Sequence, residues 1–543
     1  MRKMERTQWA VKFVGKDDIR IDKEHPVRPV GPRQLLLKIE ACGICFSDTK
    51  LLRSYDQHPR KAEVVGGISG EELLEIPSYV PGSQATVPGH EPVARIIAAG
   101  TDVRHFSVGD RVLVQADWKH LPTAHSNAAF GYNFEGALQE YVVVDERCVV
   151  TKSGEKFLLP VSETPSAASV GLVEPWATVE GAYSQEERKG PLREGRMLIV
   201  FESSSTDRKL EAFLEEASAG EVEYVDLSQG DQLPKPSTEG FDDIVYFGSK
   251  AVTIEKLEPL LRAHGILNVV LSGETIEREV AVDIGRIHYD FIRYCGTTGS
   301  NPADGYRWIP SSDELPPRGR ILLIGAAGPM GSMHVIRAIS LLGSKSEIIG
   351  TDVSDERLNH LASLAGPAAE SRGINLQLVN TAQRPMGDGY DYVVCLVPSQ
   401  QLVAEAIQAA GSSGVLNIFA GIPAGTLGPI DLQRVIAQHI FLIGSSGSTT
   451  ADMQTVLSRI EAGTLDTTVA LGAITGMAGV PEAFQAVQNR TAPGKIMVYP
   501  QLHDLGYLTM SDLMRTYPSV ARLLSDGRWT PAAEKELLEC CGA

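Results

Sequence analysis

Residues 282–304 read VDIGRIHYDFIRYCGTTGSNPAD, and residues 430–452 read IDLQRVIAQHIFLIGSSGSTTAD, 148 positions later and without a gap. Asp283, Arg286, Gly296, Gly299 and Asp304 recur as Asp431, Arg434, Gly444, Gly447 and Asp452. Upstream, GILN at 265–268 recurs as GVLN at 414–417. A match of this length marks an internal duplication, so the chain must hold two copies of one structural unit. The heads of the copies, MLIVF at 197–201 and ILLIG at 321–325, are only 124 positions apart. The first copy is therefore expected to lack about one βα unit's worth of chain.

Each copy alternates short apolar runs with helical stretches. In the first, the runs at 197–201, 222–227, 243–247 and 266–271 are separated by segments such as 207–217. Strands alternating with helices imply βαβ units and a parallel sheet. Pro316 and Pro317 break structure just before the second copy and suit a linker. The first 190 residues read differently. Apolar runs at 35–40, 92–99, 111–116 and 137–145 lie between turn residues such as Gly100, Gly109 and Asp110. They suggest a barrel-like β unit, followed by a more helical stretch at 165–183. Beyond residue 501, helical stretches at 511–516 and 532–539 form a tail that either packs on the body or makes an oligomer contact. The expected division is a β-rich domain at 1–190, a first α/β unit at 191–315, a second at 316–480, and a closing segment with the tail at 481–543.

A chain of 543 residues exceeds one hydrophobic core. Its net charge of −18 would repel a phosphate backbone, so nucleic acid is not an expected partner. No uncharged apolar stretch reaches membrane-spanning length. Residues 1–20 are charged throughout and lack the apolar run of a secretory leader. Seven scattered cysteines do not make a disulfide framework, and a reducing cytoplasm fits them best.

The segment ILLIGAAGPMG at 321–331 runs from a buried strand through a glycine-rich turn into a helix-like stretch, and Asp352 ends the next strand. That is the context of a dinucleotide site. Gly325 or Ala326 makes the turn, Gly328 admits the pyrophosphate, Gly331 lets the helix pack on the strand, and the helix N-terminus faces the phosphates. Asp352 accepts ribose hydroxyls and would repel a 2′-phosphate, which favours NAD over NADP. The expected contact set is Gly325, Ala327, Gly328, Pro329, Met330, Gly331, Asp352 and Arg357. The corresponding turn of the first copy, FESSSTDRK, has no glycine, so that copy is expected to have lost the phosphate site and to serve structure or oligomerisation.

Three distant segments carry thiol, imidazole and carboxylates: EACGICFSDTK at 40–50, VPGHEP at 87–92 and LVEP at 172–175. Such groups suit Zn²⁺, although each taken alone is equally an ordinary core or surface residue. Together with VGDRV, EGALQEYVVV, GAAGPMG and APGKIMVYP, these motifs resemble the medium-chain dehydrogenase/reductase superfamily. The resemblance is to its zinc-containing alcohol and polyol branch, near sorbitol dehydrogenase and L-sorbose-1-phosphate reductase.

That resemblance implies a GroES-like catalytic domain and Rossmann-type α/β units, the first degenerate. It implies Cys45, His90, Glu91 and Glu174 as the metal set, with Glu174 binding directly or holding a water. Ser47 would relay the substrate proton, Asp48 would orient His90, and Glu91 would bind or release during turnover. Lys50 stands where some relatives have a relay histidine. The chain departs from the family in an insertion at 57–86, the lack of a four-cysteine lobe at 114–137, and the tandem α/β unit. The expected activity is hydride transfer between NAD(H) and a polyol, sugar or sugar phosphate by a homo-oligomer, either dimer or tetramer. The rivals are a zinc-free quinone or enone reductase, an epimerase or lyase using transient NAD-linked oxidation, and a non-catalytic nucleotide-sensing scaffold.

Overall fold

In the computed structural model, the described residues are 6–203, 208–237, 239–445 and 447–542. The chain forms two compact units: residues 1–178 with 448–543, and residues 179–447.

The first unit is built on an eight-stranded sheet. Its order runs Leu508–Thr509, Leu471–Thr475, Lys495–Val498, Gln34–Ile44, Glu91–Ala99, Arg111–Val114 and Leu158–Pro160, and Tyr141–Asp145 also pairs with Gln34–Ile44. The long central strand alternates as a half-buried strand should. Leu35, Leu37 and Ile39 enter the core, and Lys38 faces out. The expected strands at 35–40, 92–99, 111–116 and 137–145 are all present, with shifted ends. The helical stretch resolves into Ala167–Gly171 and Val173–Gly181.

The strand Leu471–Thr475, expected within the second α/β unit, instead pairs with Lys495–Val498, which pairs with Gln34–Ile44. The chain rejoins the first unit at residue 448, and its first strand in this sheet is Leu471–Thr475. The tail packs on the body of the same unit. Glu534, on helix Pro531–Cys541, accepts the Ala167 and Ala168 amides at 2.6 and 2.9 Å and the Tyr499 hydroxyl at 2.8 Å. It thereby satisfies donors at the start of helix Ala167–Gly171.

The second unit holds two all-parallel sheets. One runs Glu221–Asp226, Arg196–Phe201, Phe241–Phe247, Leu261–Val270, Arg293–Thr297. The other runs Asn375–Asn380, Glu347–Asp352, Arg320–Ile324, Tyr390–Cys395, Ala410–Ile418, Phe441–Ile443. The order is the same once Asn375–Asn380 is removed. That strand and helix Asp355–Ser371 are the βα unit absent from the first copy. The linker at Pro316 is packed rather than free. Leu315 is buried, and the Asp313 carbonyl accepts the Tyr392 hydroxyl at 2.7 Å.

Candidate metal centre and dinucleotide turn

Strand register assembles the metal centre. In the antiparallel pair Gln34–Ile44 and Glu91–Ala99, Gly43 lies opposite Glu91. Cys45 follows as the N-cap of helix Phe46–Ser54, and His90 precedes the second strand. Two glycines permit this approach. A Cβ on Gly43 would stand 2.1 Å from Glu91 Oε2. Gly89 takes φ +97°, where a Cβ would meet the Leu138 side chain and Cys42 Sγ. Cys45 is thereby brought to His90 and Glu91, 45 and 46 positions away, at the strand ends.

Donor atoms of Cys45, His90 and Glu91 all lie within 4.8 Å of one another. Asp48, fully buried, accepts the Cys45 backbone N–H through Oδ2 and the His90 Nδ1–H through Oδ1, both at 2.9 Å. This favours the tautomer with the proton on Nδ1, leaving Nε2 free to take a ligand. Ser47 Oγ lies 3.2 Å from that Nε2. Burial disfavours a charged His90, but the charges of Asp48 and Tyr132 and hydrogen bonds with Asp48 and Cys45 together outweigh it, so its pKa is raised. Glu91 is fully buried. Oε1 accepts a 2.6 Å bond from Lys495 Nζ, and Oε2 has no hydrogen-bond partner. An orphaned buried carboxylate oxygen beside a thiol and an imidazole is the mark of a cation site. Borderline-soft S, N and O donors fit zinc.

Glu174 is not among the mutually close donors. It sits half-buried at the start of helix Val173–Gly181. Burial, then the charge of Glu91, raises its carboxyl to about 7. Lys50 is exposed. Lys495 and Tyr132 were not singled out from the sequence. Burial opposes the Lys495 ammonium, but Glu91 holds it charged. Its only sequence signal is a lysine inside the apolar run KIMV. The buried Tyr132 ring lies 5.6 Å from the His90 ring and 5.1 Å from that of His58, which belongs to the insertion. The remaining cysteines are free: Cys42, Cys148, Cys295 and Cys395 are buried, and Cys540 and Cys541 are near the C-terminus.

In the second unit, Gly325 takes φ +84° at the end of strand Arg320–Ile324. Gly328 caps helix Pro329–Leu341, and a Cβ on it would meet nothing closer than 3.7 Å. A Cβ on Gly331 would come within 2.4 Å of the Gly325 carbonyl oxygen, so only glycine lets helix and strand pack. Ala327, Gly328, Pro329 and Met330 form an accessible lip, with Ala326 buried behind it. Asp352 accepts the Val353 and Ser354 amides at 2.7 and 3.0 Å and pairs with the Arg357 guanidinium. Of the corresponding turn in the first copy, residues 204–207 lie outside the described residues.

Residues 31–154 match the family description "Alcohol dehydrogenase GroES-like domain", and residues 329–462 match "Zinc-binding dehydrogenase". The chain thus carries one stretch like an alcohol dehydrogenase GroES-like domain and one like a zinc-binding dehydrogenase domain. Mannitol-1-phosphate 5-dehydrogenase of Aliivibrio fischeri is 27% identical over 241 residues, 41% of this chain and 56% of that protein. L-Sorbose 1-phosphate reductase of Klebsiella pneumoniae is 27% identical over 233 residues, 41% of this chain and 55% of that one. The chain thus spans little more than half the length of the curated relatives it matches. It shares its fold with 2R,3R-butanediol dehydrogenase from Bacillus subtilis at a TM-score of 0.52 and 15% identity, over 91% of this chain and 100% of that one. The two family matches leave residues 155–328 between them, the stretch that carries the first α/β copy.

Proposed function

We propose that the protein is a zinc-dependent oxidoreductase that transfers hydride between NAD(H) and the hydroxyl or ketone of a polyol, sugar or sugar phosphate. The observation that carries this is the convergence of Cys45, His90 and the unpartnered Glu91 oxygen, with a hydroxyl from Ser47 beside them. Cys45, His90 and Glu91 would hold the zinc. When bound, zinc supplies Lewis-acid polarisation of the substrate oxygen and the dinucleotide accepts or donates hydride. Ser47 Oγ relays the proton: in oxidation it accepts the substrate hydroxyl proton while passing its own hydroxyl proton on to solvent, and in reduction the transfer runs in reverse. Asp48 holds the His90 ring, Lys495 holds Glu91, and Glu174 adds a titratable carboxyl near them.

Gly325, Ala327, Gly328, Pro329, Met330 and Gly331 would cradle the pyrophosphate, and Asp352 with Arg357 would hold the adenosine ribose. A mannitol phosphate and a sorbose phosphate in the names of two relatives support the substrate class. We further propose a small-molecule substrate, a homo-oligomeric enzyme and a cytoplasmic setting. The free cysteines suit a reducing compartment. No helix among the described residues is long and apolar enough to cross a membrane.

The test is a panel of polyols, sugar alcohols and their phosphates with NAD, read as NADH absorbance on protein of measured zinc content. Zinc-dependent NADH formation with at least one member is expected. Full turnover by zinc-free protein, or by Cys45→Ala, would refute the proposal. So would substrate conversion with tightly held NAD and no net NADH.

A further inference from the structure

Strands Val280–Asp283 and Leu427–Ile430 join the two α/β copies as an antiparallel pair. The register pairs Val280 with Ile430, Ala281 with Pro429, and Val282 with Gly428. Shifting each residue by the 148-position offset of the duplication sends the pair Val280–Ile430 onto Gly428–Val282. The same shift sends Ala281 onto Pro429, its own partner. The contact is therefore isologous, with a local two-fold axis through the Ala281–Pro429 pair.

A second, independent set of contacts obeys the same axis. A Cβ on Gly296 would stand 2.9 Å from the Ile436 side chain, and a Cβ on Gly444 would stand 2.8 Å from the His288 Cα. Gly296 and Gly444 are equivalent in the repeat, and so are His288 and Ile436. Each copy has thus kept a glycine at the point where the other copy's helix, Ile284–Tyr289 or Leu432–Gln438, crosses its last strand. Both copies also contribute to one continuous core, which includes Ile284, Ile287, Tyr294, Leu432, Val435 and Leu442.

The first copy differs at the start of its own turn. Glu202, which the 124-position offset aligns with Ala326, directly follows strand Arg196–Phe201. Its carboxylate accepts the Tyr246 hydroxyl at 2.5 Å and the Thr253 hydroxyl at 2.9 Å, and pairs with Lys250 at 2.6 Å. This ion-paired carboxylate stands where the second copy has the small, buried Ala326.

We infer that the first α/β unit is a built-in second subunit. It occupies, against the nucleotide-binding unit, the place that another copy of that unit would take in a two-fold dimer. This face is closed within one chain, and each chain carries one dinucleotide site for two α/β units. The pairing stands on geometry alone, whereas the single-site count rests on the dinucleotide assignment proposed above.

Two measurements test it on the full chain. In the double variant Ala281→Cys/Pro429→Cys, mild oxidation is expected to link the two cysteines within one chain, seen as a faster monomer band and as a linked peptide by mass spectrometry. Pro429→Cys alone is expected to give no link at this position. An interchain 429–429 disulfide, or interchain or absent linkage in the folded double variant, would overturn the built-in subunit. For the wild type, calorimetric titration with NADH is expected to saturate at one mole per mole of chain. Saturation at two would overturn the single-site count even if the double variant does not fold.

Discussion

Asp48→Asn isolates how the metal centre is held. The side chain keeps its size but has one carbonyl oxygen and one NH₂ in place of two acceptors. In the native centre both carboxylate oxygens are used at 2.9 Å, one by the Cys45 amide and one by His90 Nδ1–H. If the Asn oxygen faces Cys45, its NH₂ faces His90 Nδ1. That forces the proton onto Nε2, the atom the metal needs. If the amide is flipped, the NH₂ meets the Cys45 N–H, and a buried donor is left unpaired at about 1–3 kcal/mol. Neither arrangement keeps both functions. A lost partner of a metal-bound histidine typically costs 10–100-fold in metal affinity, about 1.4–2.7 kcal/mol. The assay is zinc competition against a chromophoric chelator, with the thermal midpoint of metal-free protein confirming that the fold persists. Affinity within about twofold of wild type in a folded D48N protein would refute the assignment of Asp48 as the group that sets the His90 tautomer.

Asp352→Ala removes the carboxylate that now pairs with Arg357 and frees that guanidinium for a 2′-phosphate. Discrimination between NAD and NADP in kcat/KM is expected to fall by about tenfold or more, roughly 1.4 kcal/mol, and unchanged discrimination would remove Asp352 from the ribose site. Lys61 is buried with its ammonium donating to the Val80 carbonyl, and burial lowers its pKa to about 7 against a weaker opposing pull from Glu135. A lysine pKa lower in the folded than in the unfolded chain means that the unfolded chain binds more protons between about pH 7 and 10. The group's destabilising effect is therefore complete below pH 7 and fades as pH rises, with a slope up to about 1.4 kcal/mol per pH unit. Lys61→Met should flatten that rise in denaturant-unfolding experiments, and parallel pH profiles for the two proteins would contradict it.

The glycine turn, the duplication and the missing βα unit were all legible in the sequence, because each is encoded over a few neighbouring residues. A strand entering Gly325 at positive φ, a helix starting at Pro329 and an acid ending the next strand depend on local backbone geometry and periodicity. Motifs likewise named Cys45, His90, Glu91 and Asp48 as one group. Other features have no local signature. Lys495 reaches Glu91 across 404 positions through two strand pairings, Tyr132 comes to His90 by the folding of a separate loop, and Glu534 caps a helix 367 positions away. The sequence pointed to Glu174 as binding the metal or holding its water, and the three mutually close donors are Cys45, His90 and Glu91. The strand Leu471–Thr475 left the nucleotide unit for the sheet of the first unit.

By itself, then, the sequence determined which elements exist, how they repeat, and which groups are chemically able to bind zinc and a dinucleotide. Only the tertiary structure decided which distant groups meet, and that the two copies meet about a two-fold axis. The physical reason is that element type follows from short-range sterics and periodicity, whereas strand register and the closure of long loops are settled by the burial of the whole core at once.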